Sequence, residues 1–180
     1  MPDGLHRKLL GCGPAAPALV QSVLDLTQHL QNSRGKHLEL RLNTERVPGG
    51  RILARVNAEE IKSVVLNLVV NAAHAIGDVV RDTGVKGRIT VRTRQEDDEA
   101  VISIIDTGGG IPEAVRARVF GPFFTTKEVG KGTGQGLYIA HNVVVNRHGG
   151  KLSFQTKVGV GTTFHVRLPV ASCSARDQAA

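Results

Sequence analysis

The sequence predicts an α+β sandwich built on a mixed sheet, and two observations carry that expectation. Helical and strand periodicities are interspersed along the chain, and at least two neighbouring strand pairs read as antiparallel, each joined by a short turn. With 180 residues the chain is one domain of ordinary size, able to bury a core.

Residues 1–16, with Pro2, Gly4, Gly11, Gly13 and Pro14, read as a disordered lead-in or linker, and residues 17–170 read as the folded domain. From Pro17 to about Leu30, Leu19, Val20, Val23, Leu24, Thr27 and Leu30 recur at helical spacing, and the helix ends over Ser33 to Gly35. Leu38, Leu40 and Leu42 alternate with Glu39 and Arg41, as in a half-buried strand. After Pro48-Gly49-Gly50 a short strand is expected over Arg51 to Val56, then the strongest helix from Glu59 to Val80. Arg88 to Arg94 and Ala100 to Asp106 read as strands paired across the acidic turn Glu96-Asp97-Asp98-Glu99. Pro112 opens a short helix to about Val119, and a Gly-, Thr- and Lys-rich loop runs from Gly121 to Gly136. A helix over Leu137 to Arg147 stops at Gly149-Gly150. Strands over Lys151 to Thr156 and Thr162 to Leu168 flank a turn at Gly159 and Gly161, and residues 171–180 read as a disordered tail.

Composition narrows the function. No apolar run is expected to reach the roughly 20 residues of a membrane span, and the N-terminus lacks the apolar stretch of a signal peptide, so the chain reads as cytoplasmic, whatever anchors a parent protein carries. Cys12 and Cys173 lie far apart and read as structural thiols. The net charge of +7 raises nucleic acid as a partner, but the basic residues are scattered and only six aromatics (five Phe, one Tyr) are present. A basic surface that attracts nucleotide phosphates or an acidic partner fits better, with no nucleic acid and no membrane contact expected.

Three segments carry chemistry. The helix from Glu59 to Val80 is apolar nearly all round, yet Glu60, Ser63, Asn67, Asn71, His74 and Asp78 recur along one face at steps of three and four. Burying a carboxamide without a partner costs about 1–3 kcal/mol, so Asn67 and Asn71 either line a cavity or satisfy neighbouring backbone groups. Ile102 to Asp106 is an apolar strand that ends in a carboxylate, followed at once by Gly108-Gly109-Gly110. Such glycines let a flat ligand approach the backbone. Asp106 can accept from an exocyclic amine, which adenine offers and guanine does not at the same place. Gly130-Lys131-Gly132-Thr133-Gly134-Gln135-Gly136-Leu137 leads into a helix, a pattern whose free N–H groups suit phosphate. No Walker A loop, dinucleotide fingerprint or protein-kinase signature occurs.

In order and spacing these segments resemble the catalytic, ATP-binding domain of sensor histidine kinases. Asn67-Leu68-Val69-Val70-Asn71-Ala72 resembles the N box, Asp106-Thr107-Gly108-Gly109-Gly110 the G1 box, and Val119-Phe120-Gly121-Pro122-Phe123-Phe124-Thr125-Thr126-Lys127 the F box. Gly132-Thr133-Gly134-Gln135-Gly136-Leu137 is similar to the G2 box, and Gly159-Val160-Gly161-Thr162-Thr163-Phe164 to the closing strand motif. The resemblance covers about Leu19 to Val170, and the Phe-Phe-Thr-Thr-Lys form is closest to the nitrogen-regulation and oxygen-sensor branch.

The resemblance implies the Bergerat fold, a two-layer sandwich whose mixed sheet is covered on one face by three helices, with a mobile ATP lid. It implies ATP and Mg2+ as cofactors, with Asn71 as metal ligand and Asn67 supporting the metal waters and phosphates. In hydrolysing relatives a glutamate base stands where Asn67 stands here, which favours phosphoryl transfer over hydrolysis. Asp106 would hold the adenine amino group beside Gly108 and Gly110. Gly132, Gly134, Gly136 and Leu137 would contact phosphate through the backbone, and Ile111, Thr133 and Thr162 complete the nucleotide contacts. Lys127, with Lys131 as a second candidate, would stabilise charge on the γ-phosphoryl group. Phe120, Phe123 and Phe124 are expected to fold the lid against the core. His74 stands where many family members carry a lysine or arginine, Gln135 replaces a usual leucine, and Asn57 replaces an acidic residue.

None of the seven histidines is followed by Glu or Asp in the acceptor pattern. The phosphoacceptor is therefore expected on a helical dimerisation domain outside this chain, with a response-regulator receiver domain as the later partner. The lone domain is expected to bind ATP as a monomer without phosphorylating itself. The alternatives are a degenerate module that binds nucleotide or a partner without catalysis, and a serine kinase of the anti-sigma-factor type.

Overall fold

The computed structural model describes residues 38–44, 56–80, 86–124 and 134–170, with side chains from residue 56 onward. The expected helix over 17–30, most of the expected strand over 51–56, the loop residues 125–133 and both termini lie outside the described residues.

Five strands form one sheet: β1 (Leu38–Thr44), β2 (Gly87–Glu96), β3 (Glu99–Asp106), β4 (Lys151–Lys157) and β5 (Gly161–Pro169). Their order is β1-β2-β3-β5-β4. The four strands from β2 to β4 are antiparallel neighbours, while β1 pairs with β2 in parallel, so the sheet is mixed as expected. Asp97, at φ 49°, makes the tight reversal between β2 and β3 that the acidic turn predicts.

One face of the sheet carries the core. Ile89, Val91, Ile102, Ile104, Phe164, Val166 and Leu168 are buried there against helix α1 (Ala58–Val80). On α1, Ile61, Val64, Val65, Leu68 and Ile76 are almost fully buried, each contributing about 1.5–3 kcal/mol of apolar burial. By length and hydropathy α1 would also suffice to cross a membrane, contrary to the expectation for this sequence. The sheet takes up its apolar stripe, and its charged first turn (Glu59, Glu60, Lys62) and its asparagine line fit a core helix better.

Asn57 starts α1: its side-chain oxygen accepts from the N–H groups of Glu59 at 3.0 Å and Glu60 at 3.3 Å. The replacement of an acidic residue by Asn57 is thus a helix cap, and Glu59 and Glu60 in the first turn suit the helix dipole. Helix α2 (Glu113–Arg116) is shorter than expected, and the chain continues in turns through Phe120.

Helix α3 (Gly136–His141) differs from expectation. Instead of staying α-helical to Arg147, it widens into a π-helical segment over Asn142–Arg147. The His148 ring satisfies the Val143 carbonyl five residues back, at 2.9 Å from Nδ1. Gly149, at φ 62°, then reverses the chain. α3 and its π extension pack beside α1 on the same face of the sheet, giving the two-layer sandwich.

Candidate functional site

The site begins at the end of β3. Ile102 and Ile104 anchor the strand in the core, and Asp106 follows at its last position, 5% exposed. Its Oδ1 accepts from Gly108 N–H at 2.8 Å and from Thr162 N–H at 3.2 Å, while Oδ2 takes neither. Burial pushes the Asp106 carboxyl above the ordinary aspartate range, and the two N–H donors oppose that rise.

The glycines after Asp106 pack as the sequence requires. A Cβ on Gly108 would sit 2.7 Å from the Ala75 Cβ and 2.8 Å from its carbonyl carbon, so only glycine lets this loop lie on α1. Gly110, at φ 74°, has the Lys157 carbonyl oxygen 2.5 Å from where its Cβ would be. Gly159 N–H donates to Gly109 O at 2.9 Å, tying the β4–β5 turn to the glycine run.

Thr156 also belongs to this wall, although no sequence motif singled it out. Its hydroxyl accepts from Ile111 N–H at 2.8 Å and lies 3.0 Å from the Thr162 hydroxyl and 3.2 Å from the Gly161 carbonyl. The available signal was the cross-strand pairing of Thr156 with Thr162 either side of a glycine turn.

The rest of the candidate site lies on α1, the helix on which Gly108 packs. Asn67 and Asn71 lie one turn apart, both half-buried. The first residue of α3 faces both: a Cβ on Gly136 would stand 3.8 Å from Asn67 Cγ and 3.9 Å from Asn71 Nδ2. The start of a glycine-led helix is therefore brought to the two carboxamides. His74 lies half-buried a turn beyond Asn71, and Leu137 packs on the core. The structure thus draws together Asn67, Asn71 and Gly136 on one side, and Asp106, Gly108, Gly110, Ile111 and Thr162 on the other. Lys127, Lys131, Gly132 and Thr133 lie outside the described residues.

Residues 56–172 match the family of histidine kinase-, DNA gyrase B- and HSP90-like ATPases. The chain belongs to this family. Within it, the chain is an ATP-binding catalytic domain of the sensor-histidine-kinase type. It is 38% identical to the sensor kinase CckA of Brucella abortus over 82% of this chain and 17% of that protein. With the sensor histidine kinase ZraS of Escherichia coli it shares 34% identity, covering 84% of this chain and 30% of ZraS. The chain spans less than a third of the length of these curated relatives. Among solved structures, the catalytic domain of histidine kinase ThkA matches with a TM-score of 0.71 and 26% identity, over 87% of this chain and 93% of that one. The mycobacterial sensor histidine kinase MprB matches with a TM-score of 0.67 and 26% identity, over 87% and 95%.

The F-box phenylalanines of this ATP-binding domain divide. Phe120 packs on the core, its ring 5.1 Å from His141, 5.7 Å from Phe154 and 6.5 Å from Phe164. Phe124 has the Arg118 guanidinium 5.0 Å over its ring. Phe123 departs from the expected inward packing: it is 73% exposed and sits at φ 58°. A Cβ on Gly134 would lie 2.6 Å from the Phe123 carbonyl carbon, so the chain passes Phe123 closely only as glycine.

Proposed function

We propose that this ATP-binding domain is the catalytic piece of a longer two-component kinase. It presents the γ-phosphoryl group of ATP to a histidine on a helical dimerisation domain, and the phosphoryl group passes on to an aspartate of a response-regulator receiver. The observation that supports this best is a buried carboxylate with one oxygen that takes neither N–H, next to a glycine that packs on α1, the same helix whose two carboxamides meet the start of α3.

In this reading Asp106 accepts from the adenine amino group through Oδ2, while Gly108 N–H and Thr162 N–H hold Oδ1 in place. Gly108, Gly110 and Ile111 flank the base, and Thr162 fixes the carboxylate. Gly134, Gly136 and Leu137, with Gly132 and Thr133 before them, offer backbone N–H groups to the phosphates. His74 stands at the phosphate end of the same face. Lys127 offsets charge on the transferring group.

Carboxamide oxygens fit a hard cation, and among the described residues no group of three or more His, Cys, Asp or Glu is placed to hold one. Asn71 would hold Mg2+, with Asn67 orienting its waters, and the ion would neutralise phosphate charge. Asn67 cannot take a proton from water at neutral pH, so the site lacks a hydrolytic base at that place and favours transfer. The domain extends over residues 17–170 and works in the cytoplasm, whether or not its parent is anchored in a membrane.

The test is calorimetric titration of the whole chain with ATP and ADP, with and without magnesium, beside Asp106→Asn. Saturable, magnesium-sensitive binding that the substitution removes supports the reading. Phosphotransfer to an added acceptor-bearing helical domain then separates a histidine kinase from a serine kinase. Absence of binding by the folded chain would overturn the reading in favour of a degenerate interaction module.

A further inference from the structure

One contact between the start of α1 and the end of the π-helical segment lies outside every sequence box. His148 follows the π-helical segment, and its side chain is only 3% exposed. Both ring nitrogens meet backbone groups. Nδ1 lies 2.9 Å from Val143 O, and Nε2 receives the Asn57 backbone N–H at 3.1 Å. A carbonyl can only accept and a backbone N–H can only donate, so Nδ1 carries the proton and Nε2 is bare. The tautomer is dictated by the neighbours on both sides.

Asn57 is also the residue that caps α1 through its side chain. The cap residue of the asparagine-bearing helix is therefore itself tied, through its own N–H, to the far end of α3. Two further contacts sit around this tie: Arg147 bonds Glu60 in the first turn of α1 at 2.5 Å, and Glu60 Oε2 lies 3.7 Å from His148 Nε2.

The two helices are joined at two places. Gly136, the start of α3, lies against Asn67 and Asn71, and His148, past its end, holds Asn57. From Asn57 to Asn67 is about 15 Å along α1, at 1.5 Å per residue, and Gly136 and His148 stand at the two ends of α3 with its π-helical extension. The two segments therefore run antiparallel, joined at the start of α1 and again near its middle. The π-helical segment runs directly up to His148. Such insertions recur at functional sites.

We propose that His148 is a positioning residue for the nucleotide site. Its bare Nε2 clamps the capped start of α1, and this sets the distance between the Asn67–Asn71 pair and the glycine-led start of α3. The inference rests on the proposed nucleotide reading, but the clamp itself is testable without ligand.

The first measurement is the long-range 1H–15N correlation spectrum of the histidine rings in the wild-type chain at neutral pH, with hydrogen exchange of the Asn57 amide. The expected result is an Nδ1-protonated His148 and a protected Asn57 amide. An Nε2-protonated ring would overturn the clamp.

Three substitutions then separate positioning from filling space. Glutamine places its carbonyl where Nε2 stands, asparagine reproduces only the Nδ1 end, and leucine fills the volume with neither. His148→Leu should weaken magnesium-ATP affinity about tenfold, because the Asn57 N–H loses its acceptor in a buried place. His148→Gln should restore most of it and His148→Asn should not. Wild-type affinity in His148→Leu, or equal rescue by asparagine and glutamine, would sink the proposal. If His148→Leu fails to fold, the ring tautomer and the Gln/Asn comparison still decide it. Failure of the wild type to bind ATP would instead count against the nucleotide reading, and the tautomer would still report the clamp.

Discussion

The Thr162 backbone N–H donates to Asp106 Oδ1 across 3.2 Å, and Gly108 N–H donates to the same oxygen at 2.8 Å. Residues far apart in sequence thus spend their donors on one oxygen of a buried carboxylate, and in the proposed reading the other oxygen meets the adenine amino group.

Asp106→Asn follows directly from that geometry. The asparagine Oδ1 can still take both N–H groups, but Nδ2 replaces the accepting oxygen with a donor, which faces the adenine amino donor. ATP affinity should fall at least a hundredfold, while the ligand-free fold is kept. Burial holds the Asp106 pKa above its ordinary value, so folding disfavours the ionised form. The carboxyl contributes most to stability below the ordinary aspartate pKa of about 3.9, and that contribution is lost as pH rises through the raised value. At neutral pH the asparagine variant should therefore melt at or above the wild-type temperature, and at about pH 3 it should lose that advantage. Calorimetric titration and thermal melts at both pH values check the two halves.

Two glycines separate folding from binding. A Cβ on Gly161 would lie 2.0 Å from the Asp106 carbonyl oxygen, at φ 141°, a backbone that L-residues rarely adopt. Gly161→Ala should cost about 3 kcal/mol or more, as expected of backbone strain combined with a steric overlap. A Cβ on Gly136 meets nothing nearer than 3.8 Å. Gly136→Ala should fold with stability within about 1 kcal/mol of wild type, so any loss of ATP affinity in it reports crowding of ligand and not damage to the fold. Urea unfolding of both variants, paired with ATP titration of the alanine at 136, makes the comparison.

Much of this was readable in the sequence because the signals are local. Ile102 to Asp106 announces a buried strand ending in a carboxylate, and Gly159 and Gly161 mark the turn before the closing strand. The asparagine line on α1 is visible as a period of three and four. What was not readable depends on pairs far apart in sequence. Asn57 and His148 are 91 residues apart, and neither backbone group in that clamp has a side-chain signature. Thr156 looks like any strand threonine until its partner Thr162 is placed opposite. The π-helical widening over Asn142–Arg147 and the outward side chain of Phe123 have no local signature in the sequence.

The sheet offers a stability test away from the site. Thr93 is 1% exposed, and its hydroxyl has no hydrogen-bond partner. A buried hydroxyl that has left water unpaired costs stability, whereas valine has nearly the same shape and suits a strand. Thr93→Val should stabilise the domain by about 1 kcal/mol in chemical denaturation and leave ATP affinity unchanged. A destabilised variant would show that the hydroxyl is satisfied in solution.

His165 is expected to make the domain sensitive to mild acid. It stands on the face of the sheet opposite α1, with Nδ1 2.9 Å from the buried Ser103 hydroxyl. Burial is the largest influence that lowers its pKa, and the Arg94 and Arg167 guanidinium groups add to it, while Glu96 opposes them. The neutral ring is therefore the form the fold prefers. Its stability contribution is complete above the ordinary histidine pKa of about 6.5 and is lost as pH falls through the depressed value. Glu96, paired with Arg94 and Arg167, has a lowered pKa of its own, so its contribution is lost at still lower pH. Unfolding free energy measured from about pH 7.5 down to about pH 5 should decline in the wild type. In His165→Gln, which keeps a polar partner for Ser103 but cannot be protonated in this range, the decline should be shallower. Equal slopes for the two proteins would assign the acid sensitivity to other groups.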